Sequence, residues 1–108
     1  MRPRSDQLRL IYLTASSPEE ARRLADALVG ERLAACVNIL GAIESVYRWQ
    51  GAVVSDIETG LLAKTTVDRV EAVSRRIAEL HSYECPCVVS VPIDGGNTEF
   101  LKWISENT

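Results

Sequence analysis

The side chains able to do chemistry are few, and most fall in one stretch. His81-Ser82-Tyr83-Glu84-Cys85-Pro86-Cys87 gathers an imidazole, a phenol, a carboxylate and two thiols. His81 is the only histidine. With Glu84 and a thiol it could bind Cu(II) or another divalent cation. One imidazole and one carboxylate are too few for a tight site, so a neighbouring subunit would have to supply further ligands. The competing reading is a histidine ending a helix as a partner of the helix dipole. Cys85 and Cys87 flank Pro86, and an i,i+2 pair on extended backbone points to one side, which suits a soft metal or redox chemistry. Against this, Pro86 stiffens the pair and Cys87 enters an apolar run. Cys36, between Ala35 and Val37, reads as a core thiol on a strand buried on both faces. Lys64 ends an apolar run and would need burial to become a catalytic amine. Tyr47, Arg48 and Trp49 crowd a hairpin tip, where exposed aromatic residues point to an interface. Gly95-Gly96 before Asn97 could offer N–H groups to a small anion at a helix start, although a turn and a cap explain the same residues. Nucleophile-elbow, phosphate-loop and dinucleotide motifs are absent, and no enzymatic activity is expected.

Those residues need a scaffold, and composition bounds it. The chain has 108 residues, 46% hydrophobic and 25% charged, which fits a single globular domain over 1–108 with an ordered core from about 8 to 106. A net charge of -3 argues against nucleic acid or anionic lipid as partner. No apolar run reaches the roughly 18 residues of a membrane span. The opening Met1 to Gln7 is polar and lacks the apolar segment of a signal peptide. Three cysteines, an odd count without zinc-ribbon spacing, indicate reduced thiols and a cytoplasmic location.

Local patterns order the elements. Leu8 to Ala15 is rich in β-branched and aromatic residues, a strand. Ser17, Pro18 and Glu20 form a capping box and an N1 proline ahead of Ala21, Leu24, Ala25 and Leu28, with Gly30 as C-cap. Ala35 to Trp49 reads as one long strand bent at Gly41, and Gln50-Gly51 as a tight hairpin to a return strand from Ala52 to about Lys64. Thr65 or Thr66 caps a second helix with an apolar stripe of Val67, Val70, Val73, Ile77 and Leu80. On its wet face Arg75 lies i,i+4 from both Glu71 and Glu79. Cys87 to Val91 is a short strand closed by Pro92. Asn97 caps a last helix with Phe100, Leu101 and Ile104 inward. The order β-α-β-β-α-β plus a C-terminal helix is an α+β, ferredoxin-like arrangement. Its antiparallel sheet has strands one and three central and two helices on one face.

Taken together, the motifs resemble the CutA family of divalent-cation tolerance proteins. Glu31-Arg32-Leu33-Ala34-Ala35-Cys36-Val37-Asn38 is similar to the family's strand-two signature, and Tyr47-Arg48-Trp49-Gln50-Gly51 to its hairpin motif. Lys64-Thr65, His81-Ser82-Tyr83-Glu84-Cys85-Pro86 and Gly95-Gly96-Asn97 with Leu101 and Trp103 resemble its remaining motifs. The resemblance implies a cytoplasmic homotrimer with PII-like architecture, linked to tolerance of copper and other divalent cations. It maps the polar cleft to Trp49, Lys64, His81, Tyr83 and Glu84. Ser82 stands where the family usually has Pro, and Cys87 where an acidic residue is common. Of the copper ligands proposed for some members, a thiol and a His-His pair, the matching positions read Ala15 and Leu80-His81, so one remains.

The leading expectation is a metal-responsive binding protein with His81 and Glu84 as ligands at a cleft between subunits. The alternatives are a PII-like small-ligand sensor, with Lys64 and the Gly95-Gly96 turn holding an anion, or a trimeric scaffold for another protein. Pairing with further copies is expected from strand length, and closure at three is what the resemblance implies. Two strands of more than a dozen residues, at about 3.3 Å each, outreach a domain roughly 35 Å across. The hairpin should overhang and expose Tyr47, Trp49, Val53 and Val54 to another copy.

Overall fold

The computed structural model describes residues 7–108, and the polar segment Met1 to Asp6 lies outside the described residues. The elements are β1 (Leu8–Ala15), α1 (Pro18–Gly30), β2 (Cys36–Trp49), β3 (Ala52–Thr66), α2 (Val70–Leu80), β4 (Val88–Ile93) and α3 (Thr98–Glu106). The strands make one antiparallel sheet in the order β2-β3-β1-β4, the α+β arrangement expected, with β1 and β3 central.

Alternation along the central strands builds the core. Ile11, Leu13 and Ala15 of β1 and Leu61 and Ala63 of β3 face α1 and α2, where they meet Ala21, Leu24, Leu28, Val73 and Ile77. Leu101 and Ile104 of α3 close a second, smaller cluster with Leu8, Ala35 and Ile93. Asn97 caps α3 as expected, its Oδ1 accepting from the Phe100 N–H at 2.9 Å. Phe100, expected inward, is instead exposed and stacks on Trp103 at 5.6 Å.

Helix ends depart from their expected signals where tertiary bonds compete with local ones. Ser17 caps α1 through the Glu20 N–H, but Glu20 does not complete the capping box. Its Oε1 accepts from the Ser16 N–H at 2.9 Å. Gly30 stays inside α1, and the left-handed residue is Arg32 at φ 58, because the Leu33 and Ala34 N–H groups both return to the Leu28 carbonyl. Neither Thr65 nor Thr66 caps α2 by its side chain. The Thr65 hydroxyl donates to the Leu33 carbonyl at 2.6 Å, and a 3-10 turn over Val67–Arg69 intervenes. That turn carries Val67 off the stripe, and both it and Leu80 are exposed. The ion pairs on α2 run from Arg76, not Arg75, to Glu31 and Glu79. Pro92 lies within β4 rather than after it, which an edge strand tolerates because its ladder bonds lie on one side.

The hairpin follows its expected course. Gly41, at φ 98, marks a register shift beside Ile39, the bulge that bends β2. Gln50 and Gly51 have φ 50 and 83, both left-handed, as a type I′ turn requires. β1 ends with Ala15 opposite Thr59, so Ala52 to Glu58 pairs with β2 alone. The hairpin therefore overhangs the sheet, and the molecule measures 49 × 25 × 22 Å. Asn enters the left-handed region several-fold more readily than Gln. Gln50→Asn should accordingly raise stability by about 0.5 kcal/mol, read as a higher urea midpoint at unchanged slope.

Candidate functional site

The sheet face opposite α1 and α2 has no helix over most of its length. Register puts Leu10 beside Lys64 and Val91, and Tyr12 beside Leu62 and Val89, on this open face. Alternation along β3 carries Val54, Asp56 and Glu58 to the same side, with Tyr47 opposite Val54 and Trp49 opposite Ala52.

Acid, phenol and thiol groups converge around Glu58. Burial, the Glu58 charge and a hydrogen-bonding contact with that carboxylate push the Tyr83 phenol up to about 12. Tyr12 is raised by burial, then by Cys87 and Glu58. Tyr47 is raised by partial desolvation, then by Asp56 and Glu58. Cys87, though exposed, is raised by partial desolvation and then by Glu58, which keeps it a thiol rather than a thiolate at neutral pH. All three tyrosines of the chain thus border one acidic pair.

The loop that delivers Tyr83 is tied down from beneath. The His81 ring is fully buried. Its Nε2–H donates to the Thr14 carbonyl at 2.7 Å, and its Nδ1 accepts from the Tyr83 N–H at 3.0 Å. A neutral ring protonated on Nε2 satisfies both partners. Coordination through Nδ1 therefore requires the Tyr83 amide to let go. The Glu20 carboxylate lies 3.5 Å from Nε2 and is itself 3% exposed. Burial alone would raise its pKa. Hydrogen bonds from Ser16 and Ser82 outweigh that and lower it to about 2.

Of the expected site residues, His81 and Tyr83 touch, while Lys64 and Trp49 stand at opposite ends of the hairpin. Lys64 donates to Asn38 Oδ1. Along β3 it lies six residues from Glu58, about 20 Å. Trp49 is 59% exposed at the opposite end, and Glu84 is exposed on the loop. Among the described residues, no group of three or more His, Cys, Asp or Glu side chains could hold a metal ion. Cys36 is half-buried opposite Lys64, not enclosed, because β2 is an edge strand. Cys85 and Cys87 are free and exposed. Of the expected interface residues, Tyr47, Trp49 and Val54 lie on the open face. Val53 lies on the other side of the hairpin with Ile57 and Val46, where no helix reaches.

Tyr12, Asp56, Glu58 and Glu20 are absent from the expected site. Asp56 and Glu58 carry a legible signal, since polar residues two apart on a strand share a face, whereas Tyr12 joins them only through the strand pairing. Glu20 carries none, because its capping position explains it locally.

Comparison with known proteins gives the family. Residues 9–107 match the family described as CutA1 divalent ion tolerance protein. The divalent-cation tolerance protein CutA of Thermus thermophilus is 50% identical over 99 residues, covering 92% of this chain and 96% of that one. A solved structure of a divalent cation tolerance protein (Cut A1) from Thermus thermophilus superposes with a TM-score of 0.92 at 48% identity, covering 94% of this chain and 98% of that one. The structure described as the periplasmic divalent cation tolerance protein CutA of Archaeoglobus fulgidus superposes with a TM-score of 0.89 at 40% identity, covering 93% and 97%. With a family match along nearly the whole sequence and agreement in backbone, the chain belongs to the CutA1 divalent ion tolerance family.

Proposed function

We propose that the chain acts in divalent-cation tolerance as a homotrimer that binds a divalent cation, Cu(II) among them, in a cleft between subunits. One observation carries this reading. Trp49 and Lys64 lie on the same sheet face, and Tyr83 and Glu84 on the loop that leads into β4, yet Ala52 and Lys64 stand some 40 Å apart along β3. A second copy is what can bring their counterparts together. The overhanging hairpin supplies the means, with Trp49, Val53 and Ile57 each about 60% exposed. Leu10, Tyr12, Leu62, Val89 and Val91 offer it an uncovered surface. Tip-to-face contacts are head-to-tail, and closure at three is the family's pattern carried to this chain.

In this reading Glu84 is the exposed ligand from the loop, and His81 acts first by holding that loop. The free cysteines fit a reducing compartment such as the cytoplasm. Sedimentation equilibrium should give about three times the chain mass. Calorimetric titration of that assembly with Cu(II) or Zn(II) should give saturable heat that a dissociated Trp49→Ala, Val54→Lys variant lacks. A stable monomer, or equal cation binding by the monomeric variant, would overturn the intersubunit cleft. Heat from nucleotides alone would favour the small-ligand sensor.

A further inference from the structure

We propose that Glu20 is the positioning residue of the cleft: its carboxylate locks the loop from His81 to Cys87 against the start of α1, so that Tyr83 is held in place on His81. The residue belongs to the first turn of α1 but is only 2% exposed, far more buried than a cap needs. Its Oε1 accepts from the Ser16 N–H at 2.9 Å and from the Ser16 hydroxyl at 3.1 Å. Its Oε2 accepts at 2.9 Å from the N–H of Ser82, on the far side of the sequence. The Ser82 hydroxyl reaches Ser16 Oγ at 3.2 Å, closing the contact from outside.

His81 completes the lock. One ring nitrogen holds the end of β1 through Thr14, and the other holds the Tyr83 N–H. The rings of His81 and Tyr83 lie 4.7 Å apart at 49°. The end of β1, the start of α1 and the loop after α2 are thereby joined at one buried point. The contacts run from Glu20 to Ser82 and to His81, and from His81 to Tyr83. A capping residue alone would need none of the bonds to residue 82.

This deepens the reading of the open face as the cleft. Its readouts are taken on the metal-free protein, so they stand or fall apart from cation binding. Glu20→Gln keeps the size but offers one acceptor oxygen in place of two, so Ser16 or Ser82 loses its partner. Glu20→Asp keeps the charge but is a methylene too short to span both. Amide exchange at Ser82 and Tyr83 should rise about tenfold in either variant while Leu13 and Leu61 stay protected. Should Glu20→Gln fail to fold, Glu20→Asp carries the same measurement. Unchanged exchange at Ser82 and Tyr83 in a folded variant would overturn the proposal. Equal loosening at Leu13 and Leu61 would do so too, since Glu20 would then be a general stabiliser.

Discussion

Truncating Leu24 to Ala is expected to lower the unfolding free energy by about 2–5 kcal/mol. Leu24 is fully buried in the middle of α1, inside the cluster that joins that helix to β1, β3 and α2. Its removal takes away apolar contact and leaves a void. The neighbouring strands cannot collapse into that void, because their register is fixed by ladders on both sides. Domains of this size are stable by roughly 5–15 kcal/mol, so the loss is a large fraction of the whole. Val29 is on the same helix and 42% exposed, and its replacement by Ala should stay within about 0.5 kcal/mol of the parent. Urea denaturation at one fixed protein concentration gives both numbers. A Leu24→Ala midpoint equal to that of Val29→Ala would mean that α1 is not clamped against the sheet as described.

Acid should release the loop after α2 and take with it on the order of 3 kcal/mol of stability. The source is Glu20, whose pKa falls from an ordinary 4.5 to about 2 in the folded chain. A carboxyl depressed in this way binds its proton less readily folded than unfolded. Its contribution is complete above pH 4.5 and is lost as the pH falls through about 2. Denaturation midpoints of the parent should drop steeply over that interval. Those of Glu20→Gln should start lower at neutral pH and change less, since Gln has no proton to take up. Parallel curves for the two proteins would show that the acid sensitivity lies elsewhere.

The fold is legible in the sequence wherever local pattern and tertiary environment agree. β1 is readable to its ends because β3 pairs with it from Leu8 to Ala15 and β4 from Leu8 to Leu13. The hairpin is readable because Gly41 and Gly51 mark the two places where the backbone must leave ordinary φ. α2 is less so. Its apolar stripe extends into Val67, but a hydroxyl contact between Thr65 and Leu33 holds the start of the segment in a tighter turn. Such a contact reaches far along the chain and leaves no local trace. Phe100 misleads for a related reason, since helical spacing cannot tell a core position from one that stacks on the surface beside Trp103.

The candidate site divides the same way. His81, Tyr83 and Glu84 stand out by residue type and lie on one loop, yet the role of each depends on partners from other elements. His81 carries the profile of a ligand, and burial against Thr14 makes it a fastener. Asp56 and Glu58 read along the chain as interruptions of an apolar strand. They become a focus only when Tyr12, Tyr47 and Tyr83 arrive from three other segments.

The central place of β1 also constrains the order in which the molecule can assemble. As the first strand made, it has no neighbour to pair with until much of the chain exists: Leu13 waits for Leu61 on one side and Val88 on the other. The turn at Gln50-Gly51 closes without such a delay, and hairpins form on the order of 1–10 μs. During synthesis β2 and β3 can therefore zip while β1 and α1, already outside the ribosome, remain open. Long-range pairing of this kind slows folding and prolongs exposure of apolar strands. Leu8 to Ala15 is the segment left waiting, the apolar stretch whose exposure lasts longest.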